Sequence, residues 1–140
     1  MTPTLFGRLQ TRVFVTVVVG GAWTALLALA LPGLELGKAL VVLATMGVLG
    51  LVWELLYHWL MGFRWEKDWP SLLGLLTGIN EGVVLALVLG TGDVPGLEAG
   101  PPVTTFLVHF VSVWLVTWGW LQGPMKVFDP RWRFRGGRLL

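Results

Sequence analysis

Four ionisable side chains lie within stretches that are otherwise apolar enough to cross a lipid bilayer. They are Glu54, His58, Glu81 and His109, and we call this set the polar seam. A charged group at the centre of a membrane helix costs about 2.5–3.5 kcal/mol on insertion scales, so such groups turn inward and find partners. Glu54 and His58 are spaced i, i+4 and share one helix face. Glu54 and Glu81 fall at similar depth on neighbouring antiparallel helices, which predicts that their carboxyl groups face each other.

Several kinds of chemistry fit the polar seam. Two carboxylates at one depth in a low dielectric share a proton or hold a cation between them, so the seam could pass protons or a cation. A protonated glutamate that is hydrogen-bonded across a helix interface would instead only join helices. Two carboxylates and two imidazoles also suit Zn, Mn or Fe. Against a metal, the spacing E-x-x-x-H differs from the E-x-x-H of di-iron bundles. No cofactor is predicted beyond this possible metal or bound cation.

Composition indicates the class of protein. The chain has 140 residues, of which 55% are hydrophobic and 13% are charged. Soluble domains carry about 25% charged residues, so depletion along the whole chain is typical of a polytopic membrane protein. The absence of cysteine excludes disulfides and thiolate metal ligands. The sequence also lacks G-x-S-x-G, H-E-x-x-H and a glycine-rich phosphate loop. The absence of these motifs disfavours an enzyme but does not exclude one.

Four apolar stretches have the length that a helix needs to cross a bilayer core, which is about 20 residues. They cover about residues 13–31, 39–63, 71–89 and 103–121. The predicted fold is an all-α integral membrane protein, a four-transmembrane-helix bundle with up-down-up-down topology that forms a single membrane domain over residues 1–140. Residues 1–30 also fit a signal peptide with a cleavage site at Ala28-Leu29-Ala30, but we keep this segment as the first span.

The basic residues predict the orientation of the chain. Lys38 alone lies on one side of the predicted spans, and nine basic residues lie on the other: Arg8, Arg12, Arg64, Lys67, Lys126, Arg131, Arg133, Arg135 and Arg138. The positive-inside rule then places both termini in the cytoplasm. The expected location of the chain is a bacterial-type plasma (inner) membrane.

Residues 122–140 form a basic and aromatic cytoplasmic tail. Its basic side chains are predicted to contact anionic lipids, namely Lys126, Arg131, Arg133, Arg135 and Arg138. A short aromatic tail tied to a membrane does not fit nucleic-acid binding, so no nucleic-acid partner is expected.

Small residues recur at helical spacing in the second and third spans. They are Gly47, Gly50, Gly74, Gly78 and Gly82. Such stripes allow close helix packing, either within one bundle or with another subunit. The predicted function is therefore a structural or accessory subunit of a larger membrane complex, or a homo-oligomer. The alternatives are a proton- or cation-translocating protein that uses the polar seam and, ranked below it, a lipid- or quinone-directed membrane enzyme.

Overall fold

The computed structural model describes residues 3–66, 69–98 and 100–140, and the regular secondary structure in these ranges is helical. Within these ranges, four helices are long and apolar enough to cross a membrane. They are α1 (Leu5–Ala30), α2 (Leu36–Met61), α3 (Ser71–Gly90) and α4 (Val103–Gln122), and a short α5 (Pro124–Phe128) follows. Lys67, which counts toward the predicted charge asymmetry, lies outside the described residues.

Helix α1 begins well before the apolar run that predicted it. Thr4 caps its N-terminus, and the Thr4 side chain accepts a hydrogen bond of 3.1 Å from the Gly7 amide. The helix therefore starts at Leu5 rather than at Val13, and Arg8 and Arg12 lie inside it instead of preceding it. A π-helical turn over Val15–Gly20 divides α1 into two α-helical parts. One extra residue per turn rotates the second part relative to the first, so the two parts present different faces to the bundle.

Proline and glycine set the limits of the other long helices. Pro70 and Pro102 precede α3 and α4, a position where a missing amide hydrogen costs little. Gly62 and Gly123 follow the last residues of α2 and α4. These limits lie within a few residues of the predicted spans.

The long helices pack as a bundle in which sequence neighbours run in opposite directions. At one end of α1 Arg8 contacts Glu54 of α2, whereas at the other end Thr24 contacts His109 of α4. Helices α3 and α4 also run antiparallel, because Trp118 binds the Ser71 carbonyl at the start of α3. The core between the helices is apolar and includes Leu43, Met46, Leu85, Phe110 and Val113.

The C-terminal tail folds back onto the start of α1. The Thr4 amide donates to the Gly136 carbonyl at 2.8 Å, and the Thr11 hydroxyl donates to the Gly137 carbonyl at 2.8 Å. The indole of Trp132 donates in turn to the Thr11 hydroxyl, also at 2.8 Å. We call this arrangement the terminal clasp. It holds the two ends of the chain together at one end of the bundle.

Candidate functional site

Two arginines and two glutamates form a buried cluster between three helices. Arg8 of α1 donates through Nε and Nη2 to Glu54 Oε2, at 2.7 and 2.6 Å. Arg12, one turn further along α1, places Nη1 at 3.7 Å from Glu54 Oε1 and Nη2 against Glu81 Oε2. Glu54 lies on α2 and Glu81 on α3. We call these four side chains the ion-pair cluster.

The side chains of the ion-pair cluster have little exposure to solvent, so their charges need to be balanced within the cluster. The exposed fractions of its side chains are only 9% for Arg8, 11% for Arg12, 13% for Glu54 and 4% for Glu81. Buried charges are costly unless they are paired and hydrogen-bonded. Two guanidinium groups and two carboxylates cancel in formal charge, so the cluster is neutral as a unit when all four groups are ionised.

The two glutamates of the polar seam thus meet through an arginine. The cation that lies between Glu54 and Glu81 is the guanidinium of Arg12, which contacts both carboxylates. Arg8 and Arg12 are not among the predicted site residues, because they precede the apolar run in the sequence. The detectable signal was their i, i+4 spacing, which puts both on one helix face.

A glycine on α2 makes room for Arg12. A Cβ built on Gly50 would lie 2.6 Å from Arg12 Nη2, so a larger residue at this position would force the Arg12 side chain to move. Gly50 and Glu54 are one turn apart on α2, so the gap and the carboxylate occur on the same face. Aromatic rings lie beside both guanidinium groups, with Arg8 at 5.7 Å from the Trp69 ring centroid and Arg12 at 5.2 Å from that of Trp114.

The histidines of the polar seam do not join this cluster. His109 is buried on α4, and its Nε2 lies 2.9 Å from the hydroxyl of Thr24, which is also buried. His58 is half-buried on α2, and its Nδ1 has no hydrogen-bond partner among residues 3–66, 69–98 and 100–140. Across these same ranges, no group of three or more His, Asp or Glu side chains is arranged to hold a metal ion.

The predicted packing glycines contact side chains within the bundle at four of five positions. Gly78 and Gly82 of α3 lie against Trp114 and Phe110 of α4. Gly47 of α2 lies against Thr16 of α1 and Gly50 against Arg12, whereas Gly74 has more space, with its built Cβ 3.9 Å from Trp69 Cδ1.

A cavity of about 430 Å³ opens beside the ion-pair cluster, at the end of the bundle where the termini meet. Arg8, Arg12 and Glu54 line it on one side, and the tail contributes Trp132 and Arg133. It extends inward to Val15, Thr16 and Met46 in the middle of the bundle. Clefts of about 300–1,000 Å³ are the usual size of small-molecule sites.

A second cavity, of about 720 Å³, lies at the opposite end of the bundle and reaches His109. It is lined mainly by the loop residues that join α1 to α2 and α3 to α4, among them Glu35, Gly96, Glu98 and Pro101.

Comparison of the chain with protein-family models, with curated proteins and with solved structures gives no match. The function must therefore be inferred from the geometry of the chain itself.

Proposed function

We propose that this chain is an integral membrane protein that acts as a structural subunit of a larger membrane assembly. The observation that carries the proposal is the ion-pair cluster, in which the two intramembrane glutamates are occupied by Arg8 and Arg12. The cluster ties α1 to α2 and to α3. Paired charges of this kind can fix one arrangement of the helices, and carboxylates that are already paired are less available for a reaction.

The surface of the bundle supports the membrane setting. Large apolar side chains in the middle of the helices are highly exposed, such as Val17 at 65%, Ile79 at 68% and Leu87 at 67%. Soluble monomers rarely expose continuous apolar surface on this scale, whereas lipid tails are a suitable solvent for it. In each of the four long helices, only 28% to 33% of the most apolar 18-residue stretch is buried inside the bundle.

The charge distribution supports an orientation with both termini in the cytoplasm. Arg131, Arg133, Arg135 and Arg138 are all exposed at the end of the bundle that holds the terminal clasp. Lys38 lies at the other end, where it pairs with Glu35 at 2.8 Å. The positive-inside rule favours the arginine-rich end as the cytoplasmic one.

A proton or cation pathway through the polar seam has less support from this geometry. A conducting carboxylate must exchange partners with the transported ion, but Glu54 and Glu81 already contact guanidinium groups. The fixed positive charge of Arg12 between them also repels an entering cation. His109 contacts Thr24, a different layer of the bundle from the ion-pair cluster.

The experiment that tests the structural role is isolation of the tagged chain from its native membranes in mild detergent, with mass analysis of the intact species. We expect a stoichiometric foreign partner, or a homo-oligomer as the simpler assembly. A monomer with no partner, together with proton or cation flux in liposomes above that of empty vesicles, would overturn the proposal. Glu54→Gln is the matched variant, because under a transport role it removes the flux and under the structural role there is no flux to remove.

A further inference from the structure

We infer that the cavity beside the ion-pair cluster binds the phosphate-bearing headgroup of a membrane amphiphile. The inference rests on the proposed membrane insertion, but it does not depend on the role as a subunit. It follows from the charge of the lining residues, from the aromatic wall of the cavity and from its position in the bundle.

The lining carries more positive than negative charge. Arg8, Arg12, Lys126 and Arg133 line the cavity, and Glu54 is the one carboxylate among its described lining residues. Glu54 and the adjacent Glu81 balance Arg8 and Arg12, as the ion-pair cluster shows. The surplus therefore resides in two further cations, which favour an anionic ligand.

The surplus cations, Lys126 and Arg133, are available to such a ligand. The Lys126 ammonium donates to the Gln122 side chain at 3.2 Å, and it forms no ion pair with a carboxylate in the part of the chain that the structure describes. Arg133 is exposed, and within residues 3–66, 69–98 and 100–140 it forms no ion pair with a carboxylate. Asp129, the nearest acidic residue in sequence, accepts a hydrogen bond of 3.2 Å from the Trp132 amide and does not line the cavity.

The rest of the wall suits the apolar part of an amphiphile. Four indole rings line the cavity, those of Trp69, Trp114, Trp118 and Trp132. Three of them donate their N–H groups to the bundle: Trp114 to the Leu75 carbonyl, Trp118 to the Ser71 carbonyl and Trp132 to the Thr11 hydroxyl. Because these polar atoms are already used, the rings offer the ligand mainly carbon surface. Mixed charged and aromatic lining is typical of sites for amphiphilic ligands.

The position of the cavity fits a lipid headgroup. It opens at the end of the bundle with the exposed arginines of the tail, and it extends toward the middle of the bundle at Val15 and Met46. Basic pockets between helices on the cytoplasmic side of a membrane are sites where anionic headgroups bind. Arg131 and Arg135, which are exposed but do not line the cavity, would attract the anionic leaflet toward this end.

Lipid binding to the detergent-solubilised chain, followed by native mass spectrometry, tests the inference. Phosphatidic acid is the probe, phosphatidylcholine with the same acyl chains is the neutral comparison, and glycerol phosphate is the soluble one. We expect a single phosphatidic acid molecule per chain and weak binding of the other two. Glycerol phosphate that binds as tightly as phosphatidic acid would overturn the assignment to an amphiphile.

Paired variants separate the cavity from the charged surface. Lys126→Gln with Arg133→Gln removes the surplus cations, and we expect affinity for phosphatidic acid to fall about thirtyfold, at about 1 kcal/mol for each of the two basic residues. Arg131→Gln with Arg135→Gln removes the same charge from exposed positions outside the cavity and should leave affinity near that of the parent chain. Equal losses in the two pairs would overturn the inference, because they would assign binding to the surface.

A steric variant tests the cavity without changing charge. Gly74 lines the cavity, and Trp69 Cδ1 at 3.9 Å is the one described atom outside the backbone of its own helix turn within 4 Å of its built Cβ, so Gly74→Leu would place a side chain in the ligand space. Gly119→Leu is the matched control, because no described atom beyond the backbone of its own helix turn lies within 4 Å of its built Cβ and it does not line the cavity. We expect Gly74→Leu alone to abolish binding, and retained binding would overturn the inference. A monomeric chain that has no protein partner but still binds phosphatidic acid would count against the structural role alone.

Discussion

At the scale of single residues, Arg12 decides how the carboxylates of Glu54 and Glu81 coexist inside the bundle. It contacts Glu81 directly and lies 3.7 Å from Glu54, while Arg8 holds Glu54 at 2.6 Å. Each arginine therefore has one close carboxylate, and Arg12 adds a weaker second contact. Removal of one partner of a buried pair costs more than removal of both, because the remaining charge stays buried without compensation.

Substitution Glu81→Gln should destabilise the bundle by about 3 kcal/mol, because Arg12 keeps only its longer contact with Glu54. The double variant Arg12→Met with Glu81→Gln should lose less than the sum of the two single variants. Denaturant unfolding in detergent measures both effects. The control is Glu35→Gln, which removes an exposed pair with Lys38 and should leave the unfolding midpoint unchanged. If Glu81→Gln behaves like this control, the ion-pair cluster does not hold the helices together.

At the scale of helices, glycines set how closely α3 and α4 approach. A Cβ on Gly82 would lie 2.6 Å from Phe110 Cε1, whereas a Cβ on Gly119 would meet no described atom within 4 Å outside the backbone of its own helix turn. Gly82→Ala should therefore lower the free energy of unfolding by about 2 kcal/mol through overpacking. Gly119→Ala on α4 should cause no loss. The same unfolding measurement compares the two variants, and equal stability would mean that the Phe110 ring moves aside freely.

The terminal clasp depends on Thr11, which accepts from the Trp132 indole and donates to the Gly137 carbonyl. Thr11→Val leaves both groups without this partner, at a cost of about 1–3 kcal/mol for each buried unsatisfied group. We expect the tail to detach and trypsin to cut faster at Arg131 and Arg133, as measured by mass analysis of the fragments. Thr104→Val, at an exposed position of α4, is the control and should leave the cleavage rate unchanged. Equal protection in both variants would show that the clasp does not need Thr11.

Helices α2, α3 and α4 could be predicted from the sequence because apolar runs end at proline or glycine on or near the observed limits. The start of α1 could not be predicted in this way. Thr4, Arg8 and Arg12 are typical of a polar segment outside a membrane span, and only the contacts of the two arginines with other helices explain why the helix includes them. The terminal clasp has no periodic pattern, since it joins Thr4 and Thr11 to Gly136 and Gly137 through single hydrogen bonds. Depth along the helices predicts that Glu54 and Glu81 lie at one level of the bundle, but it does not predict Arg12, which contacts both.

At the scale of the whole molecule, the chain has two unlike ends. One end carries the terminal clasp, the ion-pair cluster and a positively charged cavity, and the other carries the loops that surround His109. Such asymmetry across a bundle with four apolar helices favours one orientation in a membrane. It would also place the cavity at the depth of the inner-leaflet headgroups, which the lipid-binding inference requires.

The orientation can be tested by cysteine labelling, because the chain contains no cysteine to give background. Phe134 is 87% exposed beside the terminal clasp, and Glu98 is exposed in the loop between α3 and α4 at the other end. A membrane-impermeant maleimide should label Glu98→Cys in intact cells and label Phe134→Cys only after the membrane is broken. The reverse pattern would invert the orientation and place the cavity in the outer leaflet. Labelling of both variants in intact cells would mean that the chain inserts in both directions, so its basic residues would not control its topology.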